Sequence, residues 1–355
     1  MAFGYSGTIL TSSDGTTWDN RTSGTSYVLP GGTYGNSIFV TVGDIGTILT
    51  SSDAITWTSR TSGTSNTLRG VTYANNIFVA VGDIGTIQTS SDRISWTSRT
   101  SGTGQTLYEV TYGNNTFVIV GSIGTILTSS DGTTWTPRTS GTTYTLKGVT
   151  YGNSMFVAVG EGATNESTLL TSSDGITWTE RDAGNTQNLF AITYGNSIFV
   201  AVGSNSVGND IVTSTNGTSW TKRTHPTDSG DLLGVTYGNS IFVIVGESVI
   251  FTSSDGTTWT ERTKNVNGRF NGVTYGNNTF VIVMDSQYVL TSSNGTTWDD
   301  IQRGSSTTLR GVIFANNTFT AVGNSGTIIT SSDGISWTSS TSGSSKRLYG
   351  VTYTE

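Results

Sequence analysis

Residues 67–102 read TLRGVTYANNIFVAVGDIGTIQTSSDRISWTSRTSG, four short β-rich runs separated by turn residues. The first run is Leu68 to Tyr73, and Ala74-Asn75-Asn76 turns the chain because Asn tolerates positive φ. The second run is Ile77 to Val81, followed by the turn Gly82-Asp83-Ile84-Gly85. The third spans Thr86 to Thr89, and a Ser-Ser-Asp turn leads into the fourth, Ile94 to Arg99. A small-residue linker, Thr100 to Thr106, follows. Links this short predict successive strands pairing antiparallel as a meander. No window carries the apolar spacing of a helix.

The unit recurs along the whole chain. Its tryptophan falls at Trp18, Trp57, Trp96, Trp135, Trp178, Trp220, Trp259, Trp298 and Trp337, at intervals of 39 residues, except for 43 and 42 in the middle. Four-stranded meanders repeating at about 40 residues are the blades of β-propellers. Phe78-Val79-Ala80-Val81 is apolar on both parities, so the sheet needs cover on both faces. A ring gives every unit two neighbours. The ends of the sequence fit a ring. Aligning Gly7 with Gly85 starts the chain inside a second run, and the chain stops after a first run, Leu348 to Tyr353. The expected fold is therefore all-β: one nine-bladed propeller over 1–355, in repeats of about 39 residues. Its last blade is shared between 1–22 and 346–355, and strand 348–354 pairs with the three N-terminal strands.

Composition limits the partners. Charged residues are 12% of the chain, the net charge is −7 and only four of the 17 basic residues are Lys, so no basic patch tracks a phosphate backbone and nucleic acid is not an expected partner. No apolar run reaches the ~20 residues of a membrane span. With no Cys there is no disulfide or thiol chemistry. Met1 to Tyr5 shows no basic or apolar leader pattern, so no signal peptide is predicted. The Ser/Thr/Gly/Asn-rich, Lys-poor surface favours an extracellular, bacterial-surface or phage-associated monomer.

The turn before each Trp reads Ser-Ser-Asp-Gly-Thr-Thr-Trp at Ser12 to Trp18 and again at Ser253 to Trp259. This resembles the Asp-box, or BNR repeat, of sialidase-like propellers, though each copy is one residue shorter than the usual pattern. The resemblance covers all nine units; Asn216 and Asn294 replace the Asp, and Ala54 and Arg93 replace the Gly. It implies a structural turn between third and fourth strands. Asp14, Asp53, Asp92, Asp131, Asp174, Asp255 and Asp333 would accept turn amides while the tryptophans fill the gaps between blades. Each Trp buries on the order of 200 Å².

A sialidase resemblance would also imply an Arg triad, a Tyr–Glu nucleophile pair and an Asp acid. Catalysis needs unlike groups meeting at one point, and repetition spreads like groups around a circle. Arg21, Arg60, Arg99, Arg138, Arg181, Arg223 and Arg262 each follow a Trp by three residues and read as outer-strand cover for aromatic or carboxylate neighbours. Tyr108 and Glu109 are adjacent in a strand and point opposite ways, so they cannot form a direct nucleophile pair. The single His, His225, lies in a linker and reads as solvated. No catalytic residue, metal site or cofactor is predicted, and the chain is not expected to be an enzyme.

Positions that differ between units are where a ligand could be read. The x of Leu-x-Gly-Val-Thr-Tyr is Pro30, Arg69, Tyr108, Lys147, Phe190, Leu233, Asn271, Arg310 and Tyr349 around the ring, and the linker just before it varies too, with Tyr27, Asn66, Gln105, Tyr144, Gln187 and Lys346. The first strand is expected innermost, which puts these residues at the channel mouth. Arg69, Tyr108, Lys147, Phe190, Arg310, Tyr349, Tyr27 and Tyr144 are the candidate ligand residues. Asp44, Asp83, Glu161, Glu247 and Asp285 follow on the same rim, as do two insertions, Glu161 to Ser167 and Ser204 to Asp210. The expected function is multivalent recognition of a surface glycan or protein. The alternatives are a spacer propeller without a ligand and a glycoside hydrolase.

Overall fold

The computed structural model describes residues 1–13, 18–162, 167–184, 188–205, 208–227, 230–286, 288–302, 307–315, 317–340 and 344–351, the backbone alone at 205, 208–210, 349 and 350. They form nine four-stranded antiparallel sheets, each ordered first to fourth strand along the chain except the one that holds both ends. In the blade of Trp96 the strands are Leu68–Ala74, Ile77–Gly82, Ile87–Ser90 and Thr97–Arg99. Asn75 and Asn76 both sit at positive φ, 48° and 61°, the geometry a two-residue hairpin needs to match strand twist. The fourth strand is shorter than the run Ile94 to Arg99 suggests. The Asp92 carboxylate accepts the amides of Ile94 and Ser95 and keeps those residues in the turn.

The second strand explains the ring. Phe78, Val79, Ala80 and Val81 are all fully buried. Phe78 and Ala80 pack with Ile38, Val40 and Val42 of the preceding blade, while Val79 and Val81 pack with Phe117, Ile119 and Trp135 of the following one. There is accordingly no single core. The described residues hold nine apolar clusters, each bridging two neighbouring blades. First strands contact the first strands on either side around the full circle, including Leu348–Val351 against Gly31–Gly35.

Closure takes one strand from the C-terminal side and three from the N-terminal side. Ala2 pairs with Val351 and Phe3 with Gly350, antiparallel. Residues 352–354 of the expected strand lie outside the described residues. Ala2, Leu10, Trp18 and Leu348 join Val322 and Ile328 on one side of this blade. Met1, Phe3 and Ile9 join Leu29, Leu49 and Trp57 on the other. One compensation fits the seam. Phe3 stands where other blades carry a valine such as Val81, and Gly32 stands where they carry a β-branched residue such as Val71. A Cβ on Gly32 would lie 2.7 Å from the Phe3 ring, so the larger ring fills the space the missing side chain leaves.

Candidate functional site

The Asp turn is a hydrogen-bonded clamp. Asp53 Oδ1 accepts the amides of Ile55 and Thr56, both at 2.8 Å, and the Ser51 hydroxyl at 2.9 Å. These donors hold the Asp53 carboxyl at about 2, and the same arrangement holds Asp333 at about 2. Backbone amides likewise pull Asp92, Asp131, Asp174 and Asp255 down. Asn216 and Asn294 accept the equivalent amides through Oδ1, which explains why the acid is dispensable there. Asp14 lies outside the described residues. Trp57, Trp96, Trp135, Trp178, Trp259 and Trp298 are buried, while Trp220 and Trp337 are half-buried and donate their indole N–H to Gly217 and Gly334.

The arginines after the tryptophans have a different partner from the one expected. Arg60, Arg99 and Arg138 donate Nε–H to Thr50, Thr89 and Thr128 of the third strand at 2.7–2.8 Å, and Arg21, Arg181, Arg223 and Arg262 do the same. A threonine hydroxyl ten residues upstream is the common partner, and Arg21 also donates to the Asp19 carboxylate at 2.8 Å. His225 is also not simply solvated: its ring lies 5.4 Å from that of Phe251, and Nδ1 is 2.8 Å from the Thr227 carbonyl.

The variable rim position has a structural cause that strict alternation hides. In eight blades the register of first and second strands slips between the Leu or Phe and the second residue after it, as between Leu68 and Gly70 and between Leu107 and Glu109. The residue between is the extra one of a β-bulge, and a bulge re-aims its side chain. Arg69, Tyr108 and Lys147 are such residues. Tyr108 and Glu109 both line one cavity, as do successive residues of the neighbouring first strands. They do not bond each other: the Ser122 hydroxyl donates to Tyr108 Oη at 3.4 Å, and Glu109 Oε2 accepts the Val149 amide of the next blade at 2.9 Å.

That cavity, ≈ 490 Å³, opens at the channel mouth between Arg69, Tyr108 and Lys147 of three successive blades and Pro30 and Phe3 beside them. Lys147 Nζ stands 4.5 Å and Arg69 Cζ 5.7 Å from the Tyr108 ring centroid. Each cation is also held by a carboxylate fourteen residues on: Arg69 Nε and Nη2 reach Asp83 at 2.5 and 3.1 Å, and Lys147 reaches Glu161 at 3.1 Å. The same spacing links Asn271 to Asp285 and Arg310 to Asn324. Asp83, Glu161 and Asp285 are thus partners of the variable position, whereas Glu247 pairs with Arg269 and Asp44 accepts the Thr67 hydroxyl. Water reaches Glu109, but first strands wall it on both sides; this confinement raises its carboxyl above the ordinary range, and the Val149 amide offsets part of the effect.

The remaining candidates lie elsewhere on this rim. Phe190, in the blade after Lys147, is 47% exposed, and Tyr27 and Tyr144 are exposed on linkers whose carbonyls accept the amides of Gly7 and Gly124. The side chain of Tyr349, and Gln187 entirely, lie outside the description. The insertion around Ser204 lengthens a hairpin, with Ser204 pairing Asn209 and Asn205 pairing Gly208; residues 163–166 of the other insertion are not described.

Residues 179–303 match the family of the DUF6242 beta propeller domain. No curated protein matches the chain in sequence. The computationally designed Ika8 protein is similar in structure at a TM-score of 0.60 and 13% identity, over 92% of this chain and 96% of that one. Apo AztD from Citrobacter koseri is similar at 0.57 and 10%, over 88% and 96%. Together with the nine sheets, these likenesses define the chain as a β-propeller and extend to the fold alone.

Proposed function

We propose that the chain is a non-enzymatic recognition scaffold, monomeric and of the Asp-box type, that takes a protein partner at the channel mouth around Arg69, Tyr108 and Lys147. The convergence of two cations and one aromatic ring from three successive blades over a cavity carries this reading. Tyr and Arg are the residues that interfaces concentrate.

A second feature of the same rim supports it. Ile45, Ile84 and Ile123 sit in the second-to-third-strand turns of three consecutive blades, more than half exposed and at φ of 54°, 54° and 51°. Left-handed backbone costs a side-chain-bearing residue roughly 1–2 kcal/mol, most for β-branched ones. Ser6, Ser248 and Ser325 occupy this place in other blades. An exposed, strained isoleucine gives the fold nothing and gives a partner apolar area to cover. The exposed rings of Tyr27, Tyr144 and Phe190 favour a second reading, a surface glycan stacked on them.

The test is binding to intact cell surfaces by the wild type, by the triple variant Arg69→Ala/Tyr108→Ala/Lys147→Ala and by an Asn114→Ala control on the opposite rim. Loss in the triple variant alone supports the proposal, and unchanged binding by all three counts against it. Glycan-array hits that persist in the triple variant and vanish on Tyr144→Ala support the second reading.

A further inference from the structure

The cavity wall carries one charge the repeat does not explain. Where Glu109 stands, the other blades have Gly31, Gly70, Gly148, Ala191, Gly234, Gly272, Gly311 and Gly350. Three charged residues line the cavity: Arg69, Lys147 and Glu109. Arg69 is paired with Asp83 and Lys147 with Glu161. Glu109 makes no ion pair among the described residues, and its bonding is the single amide of Val149. The cavity therefore holds one carboxylate without a cationic partner, open to water on one side and walled by first strands on the others. First strands are the inner edges of their sheets, so their backbone carbonyls offer further acceptors beside it. Phe3, Val71, Val110 and Val351 supply apolar wall for an aliphatic stem.

We infer that Glu109 makes this cavity a subsite for a cation: a lysine or arginine side chain of a protein partner enters the channel mouth and pairs with the carboxylate. The inference rests on the reading of the rim as a binding face and adds the charge of what binds. The confinement that raises the carboxyl's proton affinity is the same one that strengthens its pairing with an entering cation.

The probes are n-butylammonium and n-butylguanidinium, with acetate and n-butanol as anionic and neutral counterparts, titrated at neutral pH while the Val149 amide is followed by NMR. Side-chain-sized probes bind weakly, so titration runs to about 50 mM. Both cations should shift that resonance saturably, and at least tenfold more weakly in Glu109→Gln and Glu109→Gly. The glycine variant restores the residue of seven of the other eight blades and should fold as they do. Equal binding by wild type and variants, or no binding by either cation, overturns the inference. Binding of acetate without the cations overturns it too, but leaves the rim as a ligand site of opposite preference. The rim reading itself falls by the separate cell-surface test.

Discussion

Gln88→Leu should stabilise the protein. Gln88 is buried in a third strand, and the same place in the other blades holds Leu10, Leu49, Leu127, Leu170, Val212, Phe251, Leu290 and Ile329. Its Nε2 donates to the Ser98 hydroxyl at 2.7 Å, but its Oε1 is buried with no partner. An unsatisfied buried acceptor costs about 1–3 kcal/mol, and a side-chain hydrogen bond contributes about 1 kcal/mol. Leucine removes the first and forfeits the second. Ser98 is exposed and can turn its hydroxyl to water, so little is lost on that side. Leucine also buries apolar surface in place of amide, so the net gain is about 1–2 kcal/mol. Urea denaturation followed by tryptophan fluorescence reads it as a higher midpoint with an unchanged slope. A lower midpoint would refute the reasoning, because it would mean that the blade is built around the amide.

Two further outcomes follow from the Asp turn. Arg93 holds a left-handed conformation, φ 72°, where most blades have glycine, so Arg93→Gly should stabilise by about 1 kcal/mol, less a few tenths for the freer unfolded chain, measured in the same urea titration. Asp53 and Asp333 have folded values of about 2 against an ordinary 3.8, so the stability they contribute is complete above that ordinary value and is lost as pH falls from it towards 2. Asp53→Asn/Asp333→Asn should flatten that part of the acid-unfolding curve, read by circular dichroism, while leaving the fold intact at neutral pH, as Asn216 and Asn294 already do in their turns.

The ring was legible because its physics repeats. Nine tryptophans set the period, and a second strand apolar on both parities, Phe78 to Val81, required a neighbour on each face. The rim was legible in position but not in geometry. A bulge at Tyr108 cannot be seen in a run of residue types, although alternation rightly kept Tyr108 and Glu109 from pairing directly. The pairs Arg69–Asp83 and Lys147–Glu161 left only a faint signal, basic and acidic residues fourteen apart, because Asp44, Glu247 and Asp285 stand opposite Pro30, Leu233 and Asn271 at the same spacing. A similar constant spacing of ten joins each outer arginine to its threonine, as Arg99 to Thr89. Side-chain partners are readable where a repeat tests them many times. Glu109 occurs once, and only the fold shows that its neighbours confine it.

Closure of the ring between Ala2–Gly4 and Leu348–Val351 underlies the channel, its mouth and the site. The chain has no cysteine, so a single engineered pair reports without competition. Ala2 and Val351 are directly opposed across the antiparallel seam, a spacing a disulfide can bridge. Mild oxidation of dilute Ala2→Cys/Val351→Cys should give a monomer with an internal crosslink, seen as a mobility shift on a non-reducing gel that reduction reverses. Free thiols, or crosslinks only between chains, would contradict the closed ring.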